Sequence, residues 1–174
     1  MRLVIDSLKK PEHAPSRRIV AIDYGRARIG LAIADTDSAL PRPLVTLKRV
    51  NRNEDMRRLR ELVREHGVGH IVVGLPLRLD GARGEMADEA TRFAARIRKQ
   101  LNVPVTMLDE RLTSWEAERL LEEQGGHFLR DAKAGQKRGK RETTRISVDA
   151  VAAAVILKEY LEQQQVTKSA PEHI

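Results

Sequence analysis

Three acidic positions stand at the ends of apolar runs rather than among surface charges. Asp23 closes Ile19-Val20-Ala21-Ile22, the pair Asp109-Glu110 follows Val105 to Leu108, and Asp149 opens a segment rich in alanine and valine. Carboxylates gathered at one place repel one another unless a cation neutralises them, and hard oxygen ligands select magnesium or manganese over softer metals. A pair of such ions can hold a scissile phosphate, activate a water and stabilise the departing oxygen. The chemistry open to Asp23, Glu110 and Asp149 is therefore phosphodiester hydrolysis with Mg2+ or Mn2+, two ions being the expected complement.

Each acid also has a purely structural reading. Asp23 precedes Gly25 and suits the start of a turn. Asp149 follows Ser147, a good helix cap, and a negative charge there favours the helix dipole. Asp109 and Glu110 are adjacent, so on an extended strand they point to opposite sides, and the local residues leave open which of them faces the site. The other would pair with Arg111 at the surface, a weak interaction.

The elements that must bring these acids together can be read from periodicity. Residues 1–16, with Pro11 and Pro15, read as a flexible leader, 17–162 as one folded domain, and 163–174 as a polar tail. Ile19 to Asp23 and Ile29 to Ala34 flank a glycine-containing turn and suit two antiparallel strands, with Leu44 to Val50 as a third. Asn53 is placed to cap a helix whose apolar positions are Met56, Leu59, Leu62 and Val63, with Gly67 as its stop. His70 to Gly74 reads as a buried parallel strand. Ala87, Ala90, Ala94, Ile97 and Leu101 then fall on one helical stripe, acids early and bases late. Val103 to Leu108 makes the fifth strand, Thr113 to Glu116 opens a further helix that Gly125 closes, and Ser147 caps the last one.

That order describes an α/β domain with a central mixed five-stranded sheet, three antiparallel strands and then two parallel ones, flanked by helices. It resembles the RNase H-like arrangement. If the first and fifth strands are parallel neighbours, Asp23 and Glu110 meet at one sheet edge, and a helix packed across it delivers Asp149.

Composition bounds the partners. The chain has 174 residues, 41% hydrophobic and 33% charged, which fits one water-soluble domain with a single substantial core. No stretch approaches the roughly 18 apolar residues of a membrane span, and Asp6, Lys9 and Lys10 interrupt any signal-peptide core, so a cytoplasmic location and no membrane partner are expected. The absence of cysteine removes thiolate zinc sites and a cysteine nucleophile. His66, His70 and His127 lack metal-ligand spacing. A net charge of +7 favours a polyanionic partner, nucleic acid first. Aromatics at 3% argue against broad base-stacking platforms, and Trp115 reads as packing.

Two basic segments suit phosphate contact. Gly74 to Gly84 joins a strand end to a helix start and carries Arg78 and Arg83, although Asp80-Gly81 also reads as an ordinary tight corner. Residues 130–145 hold seven basic side chains against two acidic ones, Lys137, Arg138, Lys140 and Arg141 among them, and read as a mobile basic loop that captures substrate.

Four stretches carry a more specific resemblance: Asp23-Tyr24-Gly25-Arg26-Ala27-Arg28-Ile29-Gly30-Leu31-Ala32, Gly74-Leu75-Pro76-Leu77 with Asp80-Gly81 and Gly84, Asp109-Glu110-Arg111-Leu112-Thr113-Ser114, and Asp149-Ala150. In order and spacing, across about residues 18–161, they resemble the YqgF family of bacterial Holliday-junction-resolvase-like proteins, assigned to pre-16S rRNA processing and RNase H-like in fold. The resemblance implies a metal-dependent nuclease with Asp23, Glu110 and Asp149 as metal-binding acids. It favours Glu110 over Asp109 and makes Arg28 and Arg111 substrate-side helpers. The chain departs from the family pattern in its leader and in the long Gly/Lys/Arg stretch before Ser147.

The expected activity is processing of the 5′ end of precursor 16S rRNA. The alternative is resolution of DNA junctions or other DNA cleavage, for which a homodimer would supply two active sites for two strands. A binding module without activity would keep the basic loop but has no need of three acids. An actin-like ATPase also opens with a strand ending in Asp-x-Gly, but it needs two related subdomains, and no repeat is visible here.

Overall fold

The computed structural model describes residues 18–37, 40–112 and 147–169. The chain forms β1 (Arg18–Tyr24), β2 (Arg28–Asp35), β3 (Arg42–Lys48), α1 (Arg52–Glu65), β4 (Val68–Leu75), α2 (Glu85–Leu101), β5 (Val105–Asp109), a 3-10 turn (Glu110–Leu112) and α3 (Val148–Ser169). The five strands make one mixed sheet in the order β3-β2-β1-β4-β5, with β1, β2 and β3 antiparallel and β4 and β5 parallel to β1. This is the RNase H-like arrangement expected from the element order.

The sheet is apolar on both faces, because β1, β2 and β4 lie inside it and are covered twice. On one face Val20, Ile22, Leu31, Ile33, Ile71 and Val73 pack with Met56 and Leu59 of α1 and Phe93 and Ile97 of α2. On the other, Ile19, Ala21, Ala32, Ala34 and Val72 meet Ala153, Ile156, Leu157 and Leu161 of α3. Small residues on this second face let α3 lie close to the strands, as its alanine-rich start suggests. Leu157 is fully buried there, and cutting such a side chain back to alanine costs about 2–5 kcal/mol.

Several boundaries differ from the sequence reading. Asn51, not Asn53, caps α1: its side chain accepts from the amides of Asn53 at 3.1 Å and Glu54 at 2.9 Å. Asn53 lies within the helix, where its amide is one of those capped. Gly67 takes a left-handed φ of 58° just past the helix, the conformation a helix stop requires. The third strand begins at Arg42, and the fifth at Val105. Residues 163–169, read as tail, continue α3. The leader 1–16, the helix opening at Thr113 and the basic segment 130–145 lie outside the described residues. No helix among the described residues is long and apolar enough to cross a membrane.

The strand order corrects one expectation. β1 and β5 are not neighbours, because β4 runs between them. The return from β3 through α1 brings the chain back beside β1, and β5 must pair with the remaining edge of β4. Glu110 therefore has to reach across a strand to approach Asp23.

Candidate active site

Asp23 sits one step from the end of β1. Side chains alternate along a strand, so Asp23 shares the α3 face with Ile19 and Ala21. Its ladder partner on β2 is Gly30, and Gly30 in turn pairs with Thr46 of β3. On the other side Ile22 pairs with Val73, which places Gly74 of β4 beside Asp23 on the same face. Asp23 is thus flanked by two glycines, and each leaves room for another acid.

The first glycine seats the start of α3. A Cβ on Gly30 would run into the carbonyl oxygen of Asp149 and lie 2.9 Å from the Ala150 amide nitrogen. The helix backbone therefore rests directly on β2. Ser147 fixes this start twice over: its hydroxyl bonds Thr46 Oγ1 and accepts from the Ala150 amide at 3.4 Å. Docked this way, Asp149 comes close enough to Asp23 for the two charges to repel.

The second glycine makes way for Glu110. A Cβ on Gly74 would collide with Glu110 Oε1 and stand 2.8 Å from Ile156 Cδ1. The 3-10 turn after β5 directs Glu110 back over β4, and the missing side chain gives it passage to Asp23. Asp109 turns the other way. Its carboxylate binds Arg111, with Nη2 to Oδ2 at 2.6 Å and Nε to Oδ2 at 2.9 Å. That guanidinium holds the Asp109 carboxyl below the usual carboxylate range.

Electrostatics separate Asp23 and Glu110 from ordinary surface carboxylates. Burial first, and then the Asp149 charge, push the Asp23 carboxyl up to about 6. Burial, then Asp23, then Asp109 push Glu110 up to about 7. The central carboxylate makes no hydrogen bond or ion pair among the described residues. Asp149 is bound by Arg28, Nε to Oδ2 at 2.8 Å. Among the described residues no three acidic or imidazole groups lie close enough, as their side chains stand, to ligate one ion together. The frustration is pairwise, with Asp23 repelled from both sides, and a hard cation relieves such a set.

The other basic residues singled out in the sequence have different surroundings. Arg111 lies against the turn at Gly81, where a Cβ would stand 2.9 Å from its Nη1. That turn is the tight corner read from Asp80-Gly81: Gly81 has φ 84°, Asp80 Oδ1 accepts from the Ala82 amide at 2.8 Å, and Leu77 bridges to Arg83. Arg83 binds Asp88 at 3.2 Å and Thr91 at 2.6 Å, while Arg78 is exposed near Gly84. Lys137, Arg138, Lys140 and Arg141 lie outside the described residues. The sequence reading did not assign Gly30 and Gly74 a part in the site. Their signal was there, since a glycine inside an apolar strand run marks close approach by another backbone or group.

Known proteins resemble this chain in sequence and in fold. A Koribacter versatilis protein, provisionally named a pre-16S rRNA nuclease, is 38% identical over 164 residues, covering 94% of this chain and 98% of its own length. One from Anaeromyxobacter sp. with the same provisional name is 42% identical over 145 residues, covering 83% and 96%. Among solved structures, the chain resembles Thermus thermophilus RuvC in complex with a Holliday junction substrate, with TM-score 0.50, 16% identity and coverage of 86% and 97%, a likeness of fold. A family described as RuvX, Holliday junction resolvase, matches residues 17–163, and the chain belongs to this family, also called YqgF, of phosphodiester-hydrolysing enzymes.

Proposed function

We propose that the chain is a divalent-metal-dependent nuclease that processes the 5′ end of precursor 16S rRNA, with Asp23, Glu110 and Asp149 as its metal-holding carboxylates. The observation that carries this reading is the position of Asp23, half-buried between two other acids, with its carboxyl and that of Glu110 raised to about 6 and about 7. Mg2+ or Mn2+, as a pair of ions, would supply the activated water and the charge that stabilises the departing oxygen. The chain's own part is placement. Asp23 is fixed by the central strand, Glu110 by the turn after β5, and Asp149 by the docked start of α3. Arg28 binds Asp149 and, being exposed, would be free to turn toward a substrate phosphate.

Arg78 and Arg83 lie in the turn between β4 and α2, Arg111 packs against that turn at Gly81, and Lys137, Arg138, Lys140 and Arg141 add charge just before α3 in sequence. These groups would grip the nucleic-acid backbone, which positions a strand without reading its bases. RNA as substrate is supported by the names of the relatives. A second reading, cleavage of four-way DNA junctions, is favoured by the family's description. The same carboxylates serve either backbone, because choice of sugar depends on contacts to the 2′-hydroxyl.

The test is cleavage of precursor 16S rRNA and of a four-way DNA junction, side by side, by wild type and Asp23→Asn with Mg2+ or Mn2+. Wild type should trim the RNA at its 5′ end, and the variant should bind it uncut. Cleavage of the junction alone would transfer the site to the second reading. Cutting of neither substrate with either metal would leave a binding protein and overturn the proposal.

A further inference from the structure

The other face of the β1 end carries a second charged site. Tyr24 follows Asp23 and points through the sheet to the α1–α2 side, where its ring packs on Phe93 at 4.7 Å. Arg49 lies over that ring, 4.8 Å from its centroid, and donates to Tyr24 Oη at 2.7 Å and to the Gly25 carbonyl at 3.2 Å. Its Nε binds Asp55, which is only 3% exposed, at 3.0 Å. Arg49 is therefore locked in one orientation. Arg52 from the start of α1 and Arg92 and Arg96 from α2 join it around a cleft of about 320 Å³.

Charge in this cleft is unbalanced. Four arginines line it against one carboxylate, Glu89. That carboxylate is already taken by Arg26, at 2.8 and 3.1 Å, with Tyr24 at 3.5 Å. Arg52 and Arg96 make no ion pair among the described residues. Arg92, which also feels the Glu89 charge, and Arg96 are like charges one helical turn apart, a repulsion that a bound anion relieves. Planar guanidinium forks match phosphate oxygens, which Arg52, Arg92 and Arg96 can present, while Arg49, held by Asp55, Tyr24 and Gly25, adds its remaining Nη2 and a fixed positive charge. The cleft volume lies at the low end of small-ligand sites, about 300–1,000 Å³.

We propose that this cleft is a second phosphate-binding site, which holds the nucleic-acid backbone on the opposite face of the sheet from the carboxylates. Asp23 and Tyr24 are consecutive on β1, so both sites open at the same end of the sheet, and a strand passing over that end meets both. The inference rests on the reading of the chain as a nuclease. It gives the enzyme a grip on its substrate away from the scissile bond.

The test uses the full chain with Arg52→Gln and Arg96→Gln together, both side chains being without ion-pair partners among the described residues. Affinity for a labelled single-stranded RNA and a labelled four-way DNA junction is measured without metal over a range of salt concentrations. The double variant should bind at least one of them about tenfold more weakly, and its log–log salt slope should shrink by about 0.7–0.9 per lost contact. Arg52→Lys with Arg96→Lys should restore most of the slope, which a fold defect would not. Unchanged affinity and slope in the glutamine variant would overturn the proposal. So would binding of inorganic phosphate or a mononucleotide that depends on these arginines while strand affinity does not, since that describes a small-anion site. Failure of the nuclease reading shows separately, as absence of cleavage by wild type.

Discussion

Gly30 faces Asp23 across the β1–β2 ladder, and its missing side chain is the space into which the Asp149 carbonyl fits. The contact joins backbone to backbone, so it has little room to adjust. Gly30→Ala should lift the start of α3 from the sheet, with a loss of about 1–3 kcal/mol typical of overpacking. Asp149 would move with it. Chemical denaturation and cleavage assays should both register the change, and a variant with wild-type stability and activity would show that the helix does not depend on this seat.

Gly74 tests the same principle against a side chain. A methyl group there meets the Glu110 carboxylate and the end of Ile156, both of which can swing aside. Gly74→Ala should therefore lose activity, about tenfold or more for a displaced metal ligand, while losing less stability than Gly30→Ala. Equal stability losses in the two variants, with full activity at Gly74→Ala, would break the link between this glycine and the placement of Glu110.

Much of this arrangement is legible in the chain itself. The runs Ile19 to Asp23 and Ile29 to Ala34 predict a buried hairpin, and the α2 stripe from Ala87 to Leu101 is found buried or half-buried in place. Asp23, Glu110 and Asp149 stand out because acids at the ends of apolar elements need a reason. The path by which they meet is not legible, because strand adjacency is decided in space: β4 separates β1 from β5, and Glu110 approaches over Gly74. Asn51 and Asn53 are the same residue type two positions apart, so the sequence does not distinguish which caps α1, and only backbone geometry selects Asn51. The arginine cleft was equally hidden, since Arg49 and Arg52 precede Arg92 and Arg96 by a whole strand and helix.

The raised carboxyls make a prediction about pH. Asp23 and Glu110 hold protons to about 6 and about 7 when folded, against ordinary values of 3.8 and 4.5. Between those limits the folded chain binds more protons than the unfolded one, so stability contributed by these groups falls as pH rises from about 4 to about 7. Metal-free protein should show this loss as a declining Tm. Saturating Mg2+ should flatten it, because bound metal replaces the protons. Asp23→Asn should flatten it as well, by removing one titrating group and the charge that raises Glu110. A metal-free Tm that climbs across the window in wild type relative to Asp23→Asn would contradict the burial and repulsion argued for these acids.

The Arg49–Asp55 pair should matter far more to stability than the other ion pairs. Asp55 is 3% exposed and accepts both from Arg49 and from the Val50 amide, which ties α1 to the segment after β3. Removing one member of a buried pair strands the other, at about 3–5 kcal/mol. Arg49 keeps Tyr24 and Gly25 as partners, so Asp55→Ala should cost about 3 kcal/mol, whereas removal of Arg57 from its exposed pairs should cost under about 1 kcal/mol. Urea unfolding of the two variants makes the comparison directly.

Arg28 offers the sharpest separation of metal binding from folding. Its side chain is 63% exposed, so the bond to Asp149 contributes little to stability, and Arg28→Gln should leave Tm nearly unchanged. The same substitution frees a carboxylate and removes a positive charge beside the cluster. A surface interaction of about 1 kcal/mol corresponds to roughly a fivefold change in affinity, and Mn2+ measured by calorimetry without substrate should bind tighter by about that factor. Nucleic-acid affinity should fall in the same variant if the guanidinium turns to a phosphate when substrate arrives. Weaker Mn2+ binding after Arg28→Gln would mean that the guanidinium organises Asp149 for the metal instead of competing with it.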